Sequence, residues 1–296
     1  MLSDYDRLRR DAGLFELKGW SLLRIWGEDR NEWLQGQVTN DLRQFTEGGA
    51  SSFCFCSATG QIQVVADAWA DSNSYYLTCE TVNSSAVLRR VEELVIMEDV
   101  EIKDLTTAYR GFSIQGPKAS LIDGEGILAF PSRRTVWGGW DLWLPEGAAL
   151  PHTVAELSIG DEAVEIARLE AGIPRAGVDY DAKTLVPELG SDFAARHISY
   201  TKGCYTGQEV LMRIYSRGHT NKTWMGLVCE ARVVAGALVE GSGRVTSAVI
   251  SPELGPIAAV FLRNEVALEG QEVQVQMECG MVRARVKTMP FLAGPT

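Results

Sequence analysis

Histidine is nearly missing from this chain: His152, His197 and His219 are all it has, and they lie far apart. That scarcity argues against a histidine-built metal site. Long apolar runs are missing too. No stretch approaches the ~18 uninterrupted apolar residues of a membrane span, and the opening MLSDYDRLRRDAG lacks the apolar run of a signal peptide. A cytoplasmic protein with no membrane partner is therefore expected. Positive charge is short as well: 28 Lys and Arg against 39 Asp and Glu give a formal net charge of −11. Broad binding to a nucleic-acid backbone needs a basic face, so no direct nucleic-acid partner is expected. Six cysteines in 296 residues are too few for a disulfide scaffold, and in a reducing cytosol most should be free thiols.

What is present is an ordinary globular composition, 46% hydrophobic and 23% charged, enough for two or three packed lobes. GEDRNEWLQGQVTNDL places Trp33, Leu34 and Val38 at helical spacing and predicts a helix that ends near Gly36. SSFCFCSATGQIQVVADAWAD alternates on either side of Thr59-Gly60 and predicts a β-hairpin, with Cys54 and Cys56 on one face as core or interface residues. YYLTCE reads as a strand and SSAVLRRVEELVI as a helix. GFSIQGPKASLI predicts a strand, a turn and a helix with Pro117 in its first turn. GDEAVEIARLEAGIPRAG is an amphipathic helix stopped by Gly172 and Pro174. Past Lys222 short β-like runs alternate with glycine. The expected class is α+β, with a body over residues 1–220 and an all-β C-terminal domain over 221–296.

The stretch TKGCYTGQEVLMRIYSRGH is the most unusual. TGQE fits a capping box, with Thr206 as N-cap and Glu209 reaching back, and Gly218 is a plausible stop. Cys204 then stands in a glycine-flanked loop before a helix, where Lys202 and the helix dipole would favour a thiolate and Gly203 would allow an unusual backbone. A small buried cysteine in a tight turn is the plainer alternative, and from the cysteine alone it is preferred.

KGCYTGQE, covering Lys202, Gly203, Cys204, Tyr205, Gly207, Gln208 and Glu209, resembles the hallmark motif of the YgfZ family of folate-binding proteins, relatives of the glycine-cleavage T-protein (aminomethyltransferase). WLQGQVTNDL, SIQGPKA, RLEAGIPRAGVDYD and GRVTSAVISPELGPIAAVFL resemble other segments of that family in the same order, so the resemblance spans nearly the whole chain. It implies a three-lobed ring of two α+β lobes and a C-terminal β-barrel, with tetrahydrofolate or a one-carbon derivative in the central opening. It also implies a monomer that assists iron–sulfur cluster assembly or repair in client proteins, including a tRNA-modifying enzyme, with Cys204 as the functional thiol.

By the same resemblance Glu170 is the pterin-binding carboxylate and Trp20 an aromatic at the folate site, with Val164 where a second family tryptophan stands. Lys202, Arg213, Arg217 and Lys222 offer a basic rim for the folate tail; a solvated helix face is the equal alternative. The T-protein's catalytic aspartate has no counterpart in TVNSSAVLRR, which offers serines and no acid. Two hypotheses stand: a folate-binding accessory protein that uses Cys204, and a folate-dependent one-carbon transferase with an altered acid. A cysteine hydrolase served by His197 or His219 comes last.

Overall fold

The computed structural model describes residues 2–122 and 124–294. The chain opens with α1 (Asp4–Arg10), whose first turn is closed by Ser3, the hydroxyl accepting from the Asp6 amide at 3.1 Å. β1 (Gly13–Glu16) and β2 (Trp20–Trp26) lead into α2 (Arg30–Gln37), the helix expected around Gly36. β3 (Ala50–Cys56) and β4 (Ile62–Ala70) form the expected hairpin. β5 (Ser74–Glu80) passes directly into α3 (Thr81–Leu94), and β6 (Glu101–Asp104) follows. The order β3-β4-β5-β2-β6 makes a five-stranded antiparallel sheet. Its period-two pattern sends Leu23, Ile25, Leu77 and Cys79 to one face, where they pack with Trp33 and Leu34 of α2 and Val87 and Val91 of α3.

β7 (Tyr109–Gln115), β8 (Leu128–Ser132) and β9 (Gly139–Pro145) join β1 in a second sheet, ordered β1-β7-β9-β8. No helix follows Pro117. Gly116 has φ 135° and lies so close to the Asp11 carbonyl that a Cβ there would come within 2.4 Å of it. The Lys118 amide donates to that carbonyl at 3.0 Å and the Ala119 amide closes a turn onto Gly116. With those amides committed and glycine returning at Gly124, too few residues remain to nucleate a helix.

The short α4 (His152–Ala155) precedes α5 (Asp161–Glu170), which Gly172 ends in the left-handed region at φ 63°. α5 lays Ala163, Ile166 and Ala167 against Tyr5 and Leu8 of α1. A 3-10 turn at Val186–Leu189, α6 (Ser191–His197) and α7 (Gln208–Arg217) complete the connecting region.

The third sheet contains β10 (Lys222–Cys229), β11 (Leu238–Val239), β12 (Val245–Ser251), β13 (Gly255–Arg263), β14 (Glu272–Met277) and β15 (Gly280–Lys287), in the order β11-β14-β15-β10-β13-β12. Its core gathers Leu227, Val260, Leu262, Val275 and Val286. Residues 291 and 292 turn back on the middle of the chain: the Phe291 and Leu292 amides donate to the Glu170 carbonyl at 2.9 and 3.3 Å. The Phe291 ring lies over Gly226, where a Cβ would meet its Cζ at 2.4 Å. The architecture is α+β with a curled C-terminal sheet, as the sequence predicted.

Among the described residues no helix is long and apolar enough to cross a membrane.

Candidate functional site

The register of β2 against β5 sets Trp20 directly opposite Glu80. Thr78 and Leu22, two residues further along each strand, share that face. Arg134, only 8% exposed, comes down on it: its guanidinium stands 3.6 Å from the Trp20 ring centroid and donates to Thr78 Oγ1 at 3.3 Å. Asp141 on β9 holds that guanidinium through Nε at 3.1 Å and Nη2 at 2.5 Å. A fully buried ion pair of this geometry fixes the arginine, and with it one face of Trp20.

Two clefts meet at this point. One, of about 490 Å³, runs between the five-stranded sheet, the β8–β9 end of the second sheet, and α6. The other, of about 620 Å³, opens toward α5 and the β1–β2 turn. Both are walled by Trp20, Glu80, Arg134, Ile173 and Pro174, so together they form one opening. Each is within the size range of sites for drug-sized molecules.

Glu80 is the acid at the junction. Both of its carboxylate oxygens lie 3.0 Å from the Ala176 amide, its only hydrogen-bond donor among the described residues. Burial raises its pKa above the ordinary 4.5, and Arg175, Arg168 and Arg134 pull it back down. Tyr180 lines the first cleft; burial and then the charge of Glu80 raise its pKa. In the second cleft Arg168 pairs with Asp179 at 2.9 Å and Glu165 at 2.7 Å. None of Glu80, Arg134 or Arg168 was singled out from sequence. The only sequence signal was the strand ending of YYLTCE, which puts an acid immediately before α3.

Glu170 is not at this opening. It is fully buried, and both carboxylate oxygens accept from the Tyr5 hydroxyl at 2.9 Å while Oε1 also accepts from Ser251 at 2.5 Å. Its position at the end of α5 turns the carboxylate toward α1 and β12, and it lines neither cleft, whereas Glu80 lines both. Trp20 and Val164 do line the opening.

The basic rim expected at the cysteine motif is not there either. Lys202 is buried, and its ammonium donates to the Gln35, Val38 and Asn40 carbonyls at 2.7, 2.6 and 2.7 Å. An ammonium has three N–H groups, and all three are used to close the end of α2 and the turn after it. Burial lowers its pKa to about 8. Arg213 and Arg217 are exposed on α7 and line neither cleft, so they form a solvated helix face. Lys222 stands over Phe261.

The helix begins one residue later than predicted. Thr206 spends its amide on the Gly36 carbonyl at 3.3 Å, and Gly207, at φ 86°, occupies the cap position with no side-chain cap. Gly207 carries the backbone freedom assigned to Gly203: a Cβ on it would come within 2.6 Å of the Ser57 carbonyl. Gln208 opens α7, and Glu209 is exposed and makes no capping bond.

Cys204 is exposed, beside the buried Tyr205, and it lines neither cleft. No hydrogen bond joins it to a histidine among the described residues. His197 is buried, its Nδ1 is bonded to the Phe193 carbonyl at 2.8 Å, and burial lowers its pKa to about 4. His219 is exposed. Cys54 and Cys56 are fully buried core residues, and no group of metal-ligating side chains forms among the described residues.

Two descriptions from one family match this chain: "GCVT N-terminal domain" over residues 1–122 and "Glycine cleavage T-protein C-terminal barrel domain" over 222–292. The aminomethyltransferase of Listeria monocytogenes serotype 4a is 25% identical over 98% of this chain and 89% of its own length. That of Rubrobacter xylanophilus is 26% identical over 98% and 85%. The crystal structure of glycine cleavage system aminomethyltransferase T from Bartonella henselae superimposes with a TM-score of 0.83 at 20% identity, covering 98% of this chain and 88% of that one. With the same fold throughout and the family's domains at both ends, the chain belongs to the glycine cleavage T-protein family.

Proposed function

We propose that the opening at Trp20 and Glu80 binds tetrahydrofolate or a one-carbon derivative, and that the protein performs one-carbon transfer of the aminomethyl type. One observation carries this reading: a part-buried carboxylate with free acceptor capacity faces a tryptophan across two strands, at the meeting of two clefts. A pterin edge presents an amino group and a ring N–H side by side, and the Glu80 carboxylate can accept from both. Trp20, backed by Arg134, offers its remaining face for stacking. The folate supplies nitrogens on which a one-carbon unit is carried. Burial holds Glu80 above its ordinary pKa, which favours its taking up a proton at the pterin edge. Tyr180 and Ile173 line the cleft wall beside them.

Calorimetric titration of tetrahydrofolate into the protein tests the site. Micromolar binding that weakens at least about tenfold in Glu80→Gln and Trp20→Ala supports it. Tight binding that both variants retain counts against it. For the reaction, tetrahydrofolate and a panel of aminomethyl donors should release ammonia in a Glu80-dependent way.

A second reading is favoured by the placement of Cys204. Its loop is pinned by the Lys202 ammonium, so an exposed thiol is presented on an ordered support, remote from the folate opening. In this reading the protein is a folate-binding accessory factor of iron–sulfur cluster assembly or repair, as the motif resemblance implies. Cys204→Ser would then abolish the activity of iron–sulfur clients in cells while tetrahydrofolate affinity stays within about twofold. Unchanged client activity removes this reading.

A further inference from the structure

The five-stranded sheet has an edge that the fold leaves bare. β6 pairs with β2 on one side, and among the described residues no strand lies along its other side. The Leu105 amide donates to the Leu22 carbonyl at 2.8 Å, which fixes the alternation of that ladder. Glu101 and Lys103 therefore turn their backbone groups toward β2, while Ile102 and Asp104 turn theirs outward. An open edge of this kind is a template for another strand. Its surroundings are apolar. Val91 and Leu88 of α3, with Val95, Val100 and Ile102, line a shallow groove of about 470 Å³ beside the edge. The turn from α3 into β6 holds out Ile96 and Met97, which are 84% and 93% exposed. That turn is tied down: the Glu98 carboxylate accepts from the Ile96 and Met97 amides at 3.0 and 3.1 Å, and the Glu98 carbonyl accepts from the Val100 amide at 3.0 Å. Two large apolar side chains kept in water by an ordered turn, next to an unpaired strand, mark an interaction surface.

We propose that two copies of this chain pair through β6, antiparallel and centred on Ile102. The charges select both the partner and the register. Centred on Ile102, Glu101 of each copy faces Lys103 of the other, and the outward backbone groups of the two Ile102 residues meet as a hydrogen-bonded pair. A centre at Lys103 would set lysine against lysine, and a centre at Asp104 would set aspartate against aspartate, each a destabilising pair. The edge is thus complementary to itself in one register. The two-fold axis of that register stands perpendicular to the sheet, so both α3 helices lie on the same face of one continuous sheet and their apolar grooves meet across the axis. Ile96 and Met97 flank the seam. This pairing is independent of the folate reading, and it departs from the monomer that the motif resemblance implies.

Sedimentation equilibrium of the full chain tests it. Wild-type should dimerise with a Kd of about 10 μM. Glu101→Lys and Lys103→Glu each turn both cross-strand pairs into like-charge pairs and should weaken the dimer at least about tenfold. The double variant Glu101→Lys/Lys103→Glu restores opposite charges and should return within about threefold of wild-type. An equal mixture of the two single variants should form mixed dimers, because each then meets its opposite. Both side chains are exposed, so these variants leave folding intact. Wild-type that stays monomeric at about 100 μM overturns the proposal and leaves the edge to a strand of another protein. A dimer that neither single variant weakens, or one that the double variant and the mixture fail to restore, overturns it as well.

Discussion

Two glutamates, one buried and one half-buried, each beside the end of a helix and each raised in pKa by burial, face opposite fates in this molecule. Glu170 ends α5 with its oxygens closed off by Tyr5 and Ser251, so it fastens α1, α5 and β12 to one another. Glu80 stands where β5 meets α3 with a single backbone donor, and the rest of its carboxylate faces the opening. A carboxylate whose acceptor sites are filled by the fold holds structure together. One whose sites are left open is available to a ligand.

The sharpest break in that contrast comes from the arginine behind Trp20. Arg134→Ala leaves Asp141 buried without its partner and should cost about 3–5 kcal/mol, read as a shifted denaturation midpoint at unchanged m-value. Loss of Trp20 stacking should accompany it as a change in tryptophan fluorescence. Next in size is Glu170→Ala, which strands the Tyr5 and Ser251 hydroxyls and should cost about 2–3 kcal/mol. Tetrahydrofolate affinity, measured in the folded fraction, should stay within about twofold. A large loss of affinity there would erase the distinction between the two glutamates.

The smallest effect is on pH dependence. A carboxylate raised above its ordinary 4.5 binds more protons in the folded state than in the unfolded one as pH rises through the window between the two values, so stability falls across it. Glu80→Gln removes that fall. Denaturation of variant and wild-type should coincide near pH 4 and separate in favour of the variant above about pH 5, by under about 1 kcal/mol for a part-exposed group. A variant that is less stable at neutral pH would show that Glu80 has a structural duty like that of Glu170.

The fold was legible where period and punctuation agree. The β3–β4 hairpin, α3, α5 and the glycine-punctuated third sheet all follow from apolar spacing and glycine placement. The helix proposed after Pro117 failed because its amides are taken by Asp11 and Gly116, residues that sequence pattern does not connect to it. The site was half legible. Trp20 could be named from its resemblance, but its partner Glu80 comes from strand register, and Arg134 arrives from a turn more than 100 residues away. Lys202 was read as part of the motif and as a rim cation, and the three carbonyls that take its protons lie more than 160 residues earlier. Pairings across such distances leave no local trace in a single sequence.

The return of Phe291 and Leu292 onto Glu170 has a consequence for biosynthesis. Every strand of the five-stranded sheet has been made once Asp104 is synthesised, and every strand of the second sheet once Pro145 is. The Glu170 carbonyl, by contrast, waits for Phe291 and Leu292, more than 120 residues further along the chain. Until then the tip of α5 and the face of Gly226 lie uncovered, and a nascent chain carries its finished sheets without the clasp that Phe291 and Leu292 make. A stall, a truncation or a bulky fusion placed directly after Leu292 therefore strikes this clasp and spares the sheets made before it.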